Sequence, residues 1–106
     1  MELVTEVYEI TKDFPKEEQY GLTAQIRRSA VSVPSNIAEG YGRKSTLDYI
    51  RFLQIACGSL YELQTQLEIS INLTYITNEK AEGIFNLINE VERMLNTMIL
   101  KLSGKK

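Results

Sequence analysis

Three serines stand where a hydroxyl nucleophile could be sought: Ser32 and Ser35, either side of Val33-Pro34, and Ser45, beyond Gly40-Tyr41-Gly42. A serine attacks only when a base takes its proton. None of the three has a base beside it, and the 106-residue chain contains no His. That removes Ser-His-Asp triads, Cys-His dyads and imidazole metal ligands together. The single Cys57 can build neither a thiolate zinc site nor an intrachain disulfide. It falls on an apolar stripe, where a small buried hydrophobe is the expected role. Glu62, Glu68, Glu90 and Glu92 lack the Glu-x-x-His spacing of di-iron bundles. Gly40-x-Gly42 has the remainder of neither phosphate-binding fingerprint and follows no strand, so it reads as a turn. The residues predict no catalytic, cofactor or metal site, and no enzyme.

Charge offers a different chemistry. The chain carries 12 Lys and Arg against 14 Asp and Glu, a net charge of −2, with a pI near 5.2. That balance argues against a uniformly basic nucleic-acid binder. Between Tyr20 and Gly58, however, the bases Arg27, Arg28, Arg43, Lys44 and Arg51 face only Glu39 and Asp48. If the chain contacts RNA or DNA phosphates, these five are the expected contacts. The competing reading is structural. Adjacent helical residues point about 100° apart, so at most one of Arg27 and Arg28 lies deep against an apolar neighbour. The fork of an Arg here could bind Glu39 or Glu62 at a subunit boundary. Asn36 and Glu39 are expected to satisfy backbone groups freed near Pro34.

The elements that would position these residues are helical almost throughout. Leu3, Val7, Ile10 and Phe14 form one stripe, with Glu2, Glu6 and Glu9 opposite, and Phe14-Pro15 ends it. A second segment repeats Leu22, Ile26, Ala30, Val33 and Ile37 through Pro34. A helix kinked at Pro34 and two helices meeting there both fit; the unbroken period favours the kink. Glycine at Gly40 and Gly42 suits a left-handed helix end. Ser45 to Asp48 resembles a capping box, and Thr77-Asn78-Glu79 supplies a second cap. The last segment carries the cleanest heptad: Ala81, Ile84, Ile88, Val91, Leu95, Met98 and Leu102. Ser103-Gly104-Lys105-Lys106 is expected to be a frayed, solvated end.

The third segment, to about Leu73, has too many apolar stripes for an isolated amphipathic helix. One is Ile50, Leu53, Cys57, Leu60, Leu67 and Ile71; a second is Tyr49, Phe52, Ala56 and Leu63; a sparser third is Ile55, Ile69 and Leu73. The second stripe is the expected oligomer interface. The whole predicts an all-α, up-down antiparallel four-helix bundle, a single domain over residues 1–106, its second helix kinked at Pro34. A three-helix core with a loosely attached first helix is the structural alternative. No apolar run suits a signal peptide or a membrane span, so a cytoplasmic location is expected.

The run from Tyr20 to Arg43, centred on Ile26-Arg27-Arg28-Ser29-Ala30 and Pro34-Ser35-Asn36-Ile37-Ala38-Glu39-Gly40, resembles one family's signature. Asp48-Tyr49, Phe52-Leu53, Ala56, Gly58-Ser59 and Glu62-Leu63 extend the likeness. The family is that of four-helix-bundle proteins encoded in intervening sequences of bacterial 23S ribosomal RNA genes. A distant relation is the accessory variability determinant of diversity-generating retroelements. The resemblance implies a bacterial homopentamer with no assigned enzymatic activity. The retroelement relatives resemble adaptors that contact a reverse transcriptase and nucleic acid, so the chain itself, nucleic acid and nucleic-acid-processing proteins are the expected partners. Family members usually carry further residues, including a Val-Trp pair, before the position of Met1, so the first helix is expected to be short.

Overall fold

Heptad spacing becomes four helices in the computed structural model, which describes residues 1–104. They are α1 (Glu2–Thr11), α2 (Leu22–Tyr41), α3 (Thr46–Asn72) and α4 (Asn78–Leu102), with one 3-10 turn at Lys16–Glu18. Lys105 and Lys106, of the basic end expected from the sequence, lie outside the described residues. α1 packs on α2 and α4, and α3 packs on α2 and α4, with no close backbone approach across either diagonal. Consecutive helices are therefore neighbours around a square, which is the up-down antiparallel arrangement. At 1.5 Å per residue α3 runs about 40 Å, whereas α1 covers only about 15 Å. The molecule is 44 Å long, so α1 completes the square only along part of its length.

Each connection closes by an identifiable device. Ser45 Oγ accepts from the Asp48 amide at 3.3 Å and Thr77 Oγ1 from the Lys80 amide at 3.2 Å. Both satisfy first-turn donors that a helix leaves orphaned. α2 begins at Gly21 without a capping side chain of its own. Glu18 does the work instead: its Oε1 accepts from the Leu22 amide at 3.2 Å, and its Oε2 accepts from the Tyr75 hydroxyl at 2.8 Å. That carboxylate raises the Tyr75 phenol above its ordinary pKa. Phe14 is buried against the Tyr75 ring, centroids 5.6 Å apart. The α1–α2 and α3–α4 connections are thus pinned together at one end of the bundle. α3 ends in a Schellman pattern, with Tyr75 N–H to the Ser70 carbonyl and Thr74 N–H to that of Ile71. Thr74 holds the left-handed position at φ 64°, which is strained for a β-branched residue.

α2 passes through Pro34 as one element, which decides between the two readings of that proline. Pro34 has no N–H for the Ala30 carbonyl. Asn36 Nδ2 donates to the Ser32 carbonyl at 2.8 Å and to Ser32 Oγ at 2.9 Å, reinforcing this turn. Neither Asn36 nor Glu39, expected to satisfy the freed groups, bonds to the Ala30 carbonyl; Glu39 accepts from Arg43 at 3.2 Å.

Two expectations change. Gly42 ends α2 at φ −78°, not in the left-handed region. The glycine that matters is Gly40, where an added Cβ would stand 2.8 Å from Phe52 Cβ and 2.9 Å from Tyr49 Cδ1. The backbone of α2 meets α3 there with no room between. Gly40→Ala is expected to destabilise the chain by about 1–3 kcal/mol through overpacking. Gly83→Ala, into open space on α4, is expected to stabilise it by about 1 kcal/mol. Urea midpoints of the two variants check the opposed signs.

The second change concerns α3. Ala56 and Leu63, assigned above to an oligomer interface, are fully buried within the chain. They belong to its own core beside Leu53, Leu60 and Leu67. Tyr49 and Phe52 are half-buried, under Tyr41 and Arg43 at the end of α2. The reason is geometric: α3 packs against α2 on one side and α4 on the other, so its first two stripes form a single wide core arc.

Candidate interaction surface

With two stripes absorbed, the third stays exposed. Its members Ile55, Ile69 and Leu73 are joined by Leu47, the four between 42 and 75% exposed along the outer side of α3. Their spacings of eight, fourteen and four residues keep them on one helical face. Gly58 falls on the same face, where an added Cβ would meet nothing. α2 presents Ala24, Val31, Ser35 and Ala38 around Arg28, side chains small enough for another helix to come close.

Between these faces lies an open groove of about 610 Å³, lined by Gln25, Arg28, Ser29 and Ser32 of α2 and Ser59, Glu62 and Gln66 of α3. Small residues make it possible. The Ser32 and Ser59 hydroxyls meet at 2.8 Å, joining α2 to α3 directly. Ser29 and Ser59 are both buried, and Gln66 Oε1 is a buried acceptor with no partner. Arg28 and Glu62 line the same groove, both exposed, with no ion pair between them. The floor is therefore polar and the rim carries one free charge of each sign.

The structure does not gather the five basic residues named from the sequence. Arg27 turns toward α1: its Nε donates to Thr11 Oγ1 at 2.9 Å and its guanidinium lies over the Tyr8 ring, 4.6 Å from the centroid. Arg28 lies in the α2–α3 groove. Arg43 is paired with Glu39 at 3.2 Å and covers Phe52 at 4.9 Å. Lys44 and Arg51 are exposed, in the α2–α3 connection and early in α3. Arg27 could not have been placed from the sequence, since its partner is sixteen residues away on another helix.

Two of the three candidate serines are occupied, and Ser35 stands exposed on α2 with no base beside it in sequence. Ser45 caps α3, and Ser32 is tied to Ser59 and Asn36. Cys57 is buried, 3.9 Å from Asn96 Oδ1; burial first, then Glu92, push its thiol above the usual range. A raised thiol is a poor nucleophile at neutral pH. Among the described residues no group of three His, Cys, Asp or Glu could hold a metal, and no helix is long and apolar enough to cross a membrane.

Residues 1–97 match the family described as 23S rRNA-intervening sequence protein. The chain belongs to that family. The matched span takes in α1, α2, α3 and most of α4, hence both walls of the groove. A solved structure of similar architecture is that of a protein of unknown function from the S23 ribosomal protein family of Bacteroides thetaiotaomicron. It superposes with a TM-score of 0.78 at 30% identity, covering 91% of this chain and 87% of the other. No curated protein matches. Membership in the intervening-sequence family thus fixes ancestry and architecture and brings no reaction with it.

Proposed function

We propose that this intervening-sequence family member is a non-enzymatic, self-assembling helical module, a homo-oligomer acting as scaffold or adaptor. The observation that carries the reading is the exposed apolar row of α3, left over after the bundle has closed its own core. Aligned exposed apolar side chains mark association surfaces far more often than scattered ones do. Arg28 and Glu62 beside it supply opposite charges for contacts between copies, which set register and orientation. Seating α3 of one copy against the α2 wall of the next gives a head-to-tail contact, which forms a ring when the rotation between copies closes. The family resemblance makes five the expected number. Contact with nucleic acid is the alternative role for such a ring, and exposed Lys44 and Arg51, repeated on each copy, are what support it.

Light scattering on the purified chain tests the assembly. The expected mass at micromolar concentration is five times the 12.1 kDa of one chain. A mass of one chain overturns the reading; two chains would keep the burial argument and discard the ring.

A further inference from the structure

We propose that a second, smaller pocket, between the end of α1 and the first turns of α2, binds phosphate, either free or as a small-molecule monoester. The pocket holds about 190 Å³, and its polar lining is Thr11, Lys12, Lys16, Gln19, Thr23 and Arg27. Three of these are cations, of which Lys12 is paired with Glu9, and none is an acid.

Arg27 is the centre of the argument. It is half-buried, and among the described residues no carboxylate lies within ion-pair distance of it. Two acids on the elements that frame the pocket are committed elsewhere: Glu9 to Lys12 at 3.0 Å, Glu18 to the Leu22 amide and the Tyr75 hydroxyl. A guanidinium carries five N–H donors. One goes to Thr11, whose own hydroxyl donates to the Val7 carbonyl at 2.8 Å and so presents its lone pair to Arg27. With Tyr8 under its face, the fork is fixed in place before any ligand arrives. A partly desolvated cation held without a counter-ion is unfavourable, and an anion seated on its free edge relieves it.

Thr23 supplies the independent observation. It is 6% exposed, it lines the same pocket, and its Oγ1 has no hydrogen-bond partner. Buried hydroxyls are ordinarily satisfied. Standing four residues before Arg27 on α2, it lies on the same helix face, and it would donate to an anion held by the guanidinium. The walls are rigid as well. Phe14 is locked under Tyr75, and Glu18 ties the connection to the start of α2.

The ligand class follows from size and charge. A tetrahedral oxyanion presents a pair of oxygens to the Arg fork and still has others for the Thr23 hydroxyl and a Lys ammonium. A polyanion is disfavoured by Glu9, Asp13 and Glu17, all exposed and all within three residues of the lining cations. A compact anion passes that rim and meets the guanidinium edge of Arg27, the Thr23 hydroxyl and Lys16.

The test titrates the full chain in chloride buffer by calorimetry, with inorganic phosphate in one arm and glycerol 3-phosphate in the other. Saturable binding at about 1 mM or tighter is expected. Thr23→Val keeps the charge and shape and removes only the hydroxyl; Arg27→Gln removes the fork. Each is expected to weaken binding about tenfold or more, with melting curves confirming that both variants fold. Arg93→Gln, exposed on α4, is expected to leave it unchanged. Tighter binding of the ester identifies a monoester as the ligand, and binding of phosphate alone identifies the free ion. No saturation in either arm overturns the proposal. So does equal weakening by Arg93→Gln, which would mean diffuse attraction. Preference for a single-stranded oligonucleotide lacking a terminal phosphate, through the same residues, would assign the pocket to nucleic acid and overturn it likewise.

Discussion

Leu63→Ala is expected to lower the unfolding free energy by about 2–5 kcal/mol, with the loss independent of protein concentration. Leu63 is fully buried on the arc of α3 that turns toward α2. The truncation deletes buried carbons and leaves a hole, and the cost depends on how far the walls can collapse. Here they are held. Ser59, one turn before Leu63, is bonded to Ser32 of α2, and beyond the far end of α3 Tyr75 is bonded to Glu18, which caps α2. A backbone pinned on both sides of a void cannot follow the missing side chain inward, which places the loss toward the upper end of that range. Domains of this size hold only about 5–15 kcal/mol in total, so the variant loses a large share. Urea titration reads it as a lower midpoint at unchanged slope. Were Leu63 an interface residue, the dilute chain would keep its midpoint and only the mass of the assembly would fall.

Why Leu63 and Ala56 read as an interface from the sequence is instructive. Periodicity reports how wide the buried arc of a helix is, but not what buries it. A helix flanked by two neighbours of its own chain has the same wide arc as one flanked by a neighbour and a second copy. α3 is the former for its first two stripes, and only the third stripe is left for the latter. The helices themselves were legible because each heptad agreed with its caps: Ser45 and Thr77 sit where α3 and α4 begin. Pro34 was legible for the same reason, since the apolar period ran straight through it. Local pattern failed where the cause was tertiary. Gly40 looks like a helix-ending glycine and is instead a contact point between helices. Glu18 caps α2 in place of an N-cap side chain and binds Tyr75 across fifty-seven residues. Thr11 and Thr23 look like ordinary polar residues, yet both are buried beside Arg27, a placement set by how α1 docks on α2. That docking also splits the basic cluster, because Arg27 and Arg28, one residue apart, necessarily leave α2 in different directions.

Ile55→Glu combined with Ile69→Glu is expected to leave the fold intact and reduce the assembly to single chains of 12.1 kDa. Both residues are more than 40% exposed on the outer side of α3. Surface substitutions of this kind change chain stability by no more than about 0.5 kcal/mol, so helical content and thermal unfolding of the dilute variant should match the parent. In a ring every contact uses this face once, so every contact acquires two carboxylates in place of two apolar side chains. An ionised carboxylate buried without a partner costs several kcal/mol. Even about 3 kcal/mol weakens each contact more than a hundredfold, and a ring loses all its contacts together. Light scattering and circular dichroism on one sample separate the outcomes. A single-chain mass with native helicity places the interface on the α3 row. An unchanged mass moves the interface off α3, whereas lost helicity would show that the row supports the bundle itself. The charge pair offers a check that does not depend on burial. Arg28→Glu alone should weaken assembly by setting like charges against Glu62, and Arg28→Glu with Glu62→Arg should restore it, because the swap returns the attraction while reversing both signs.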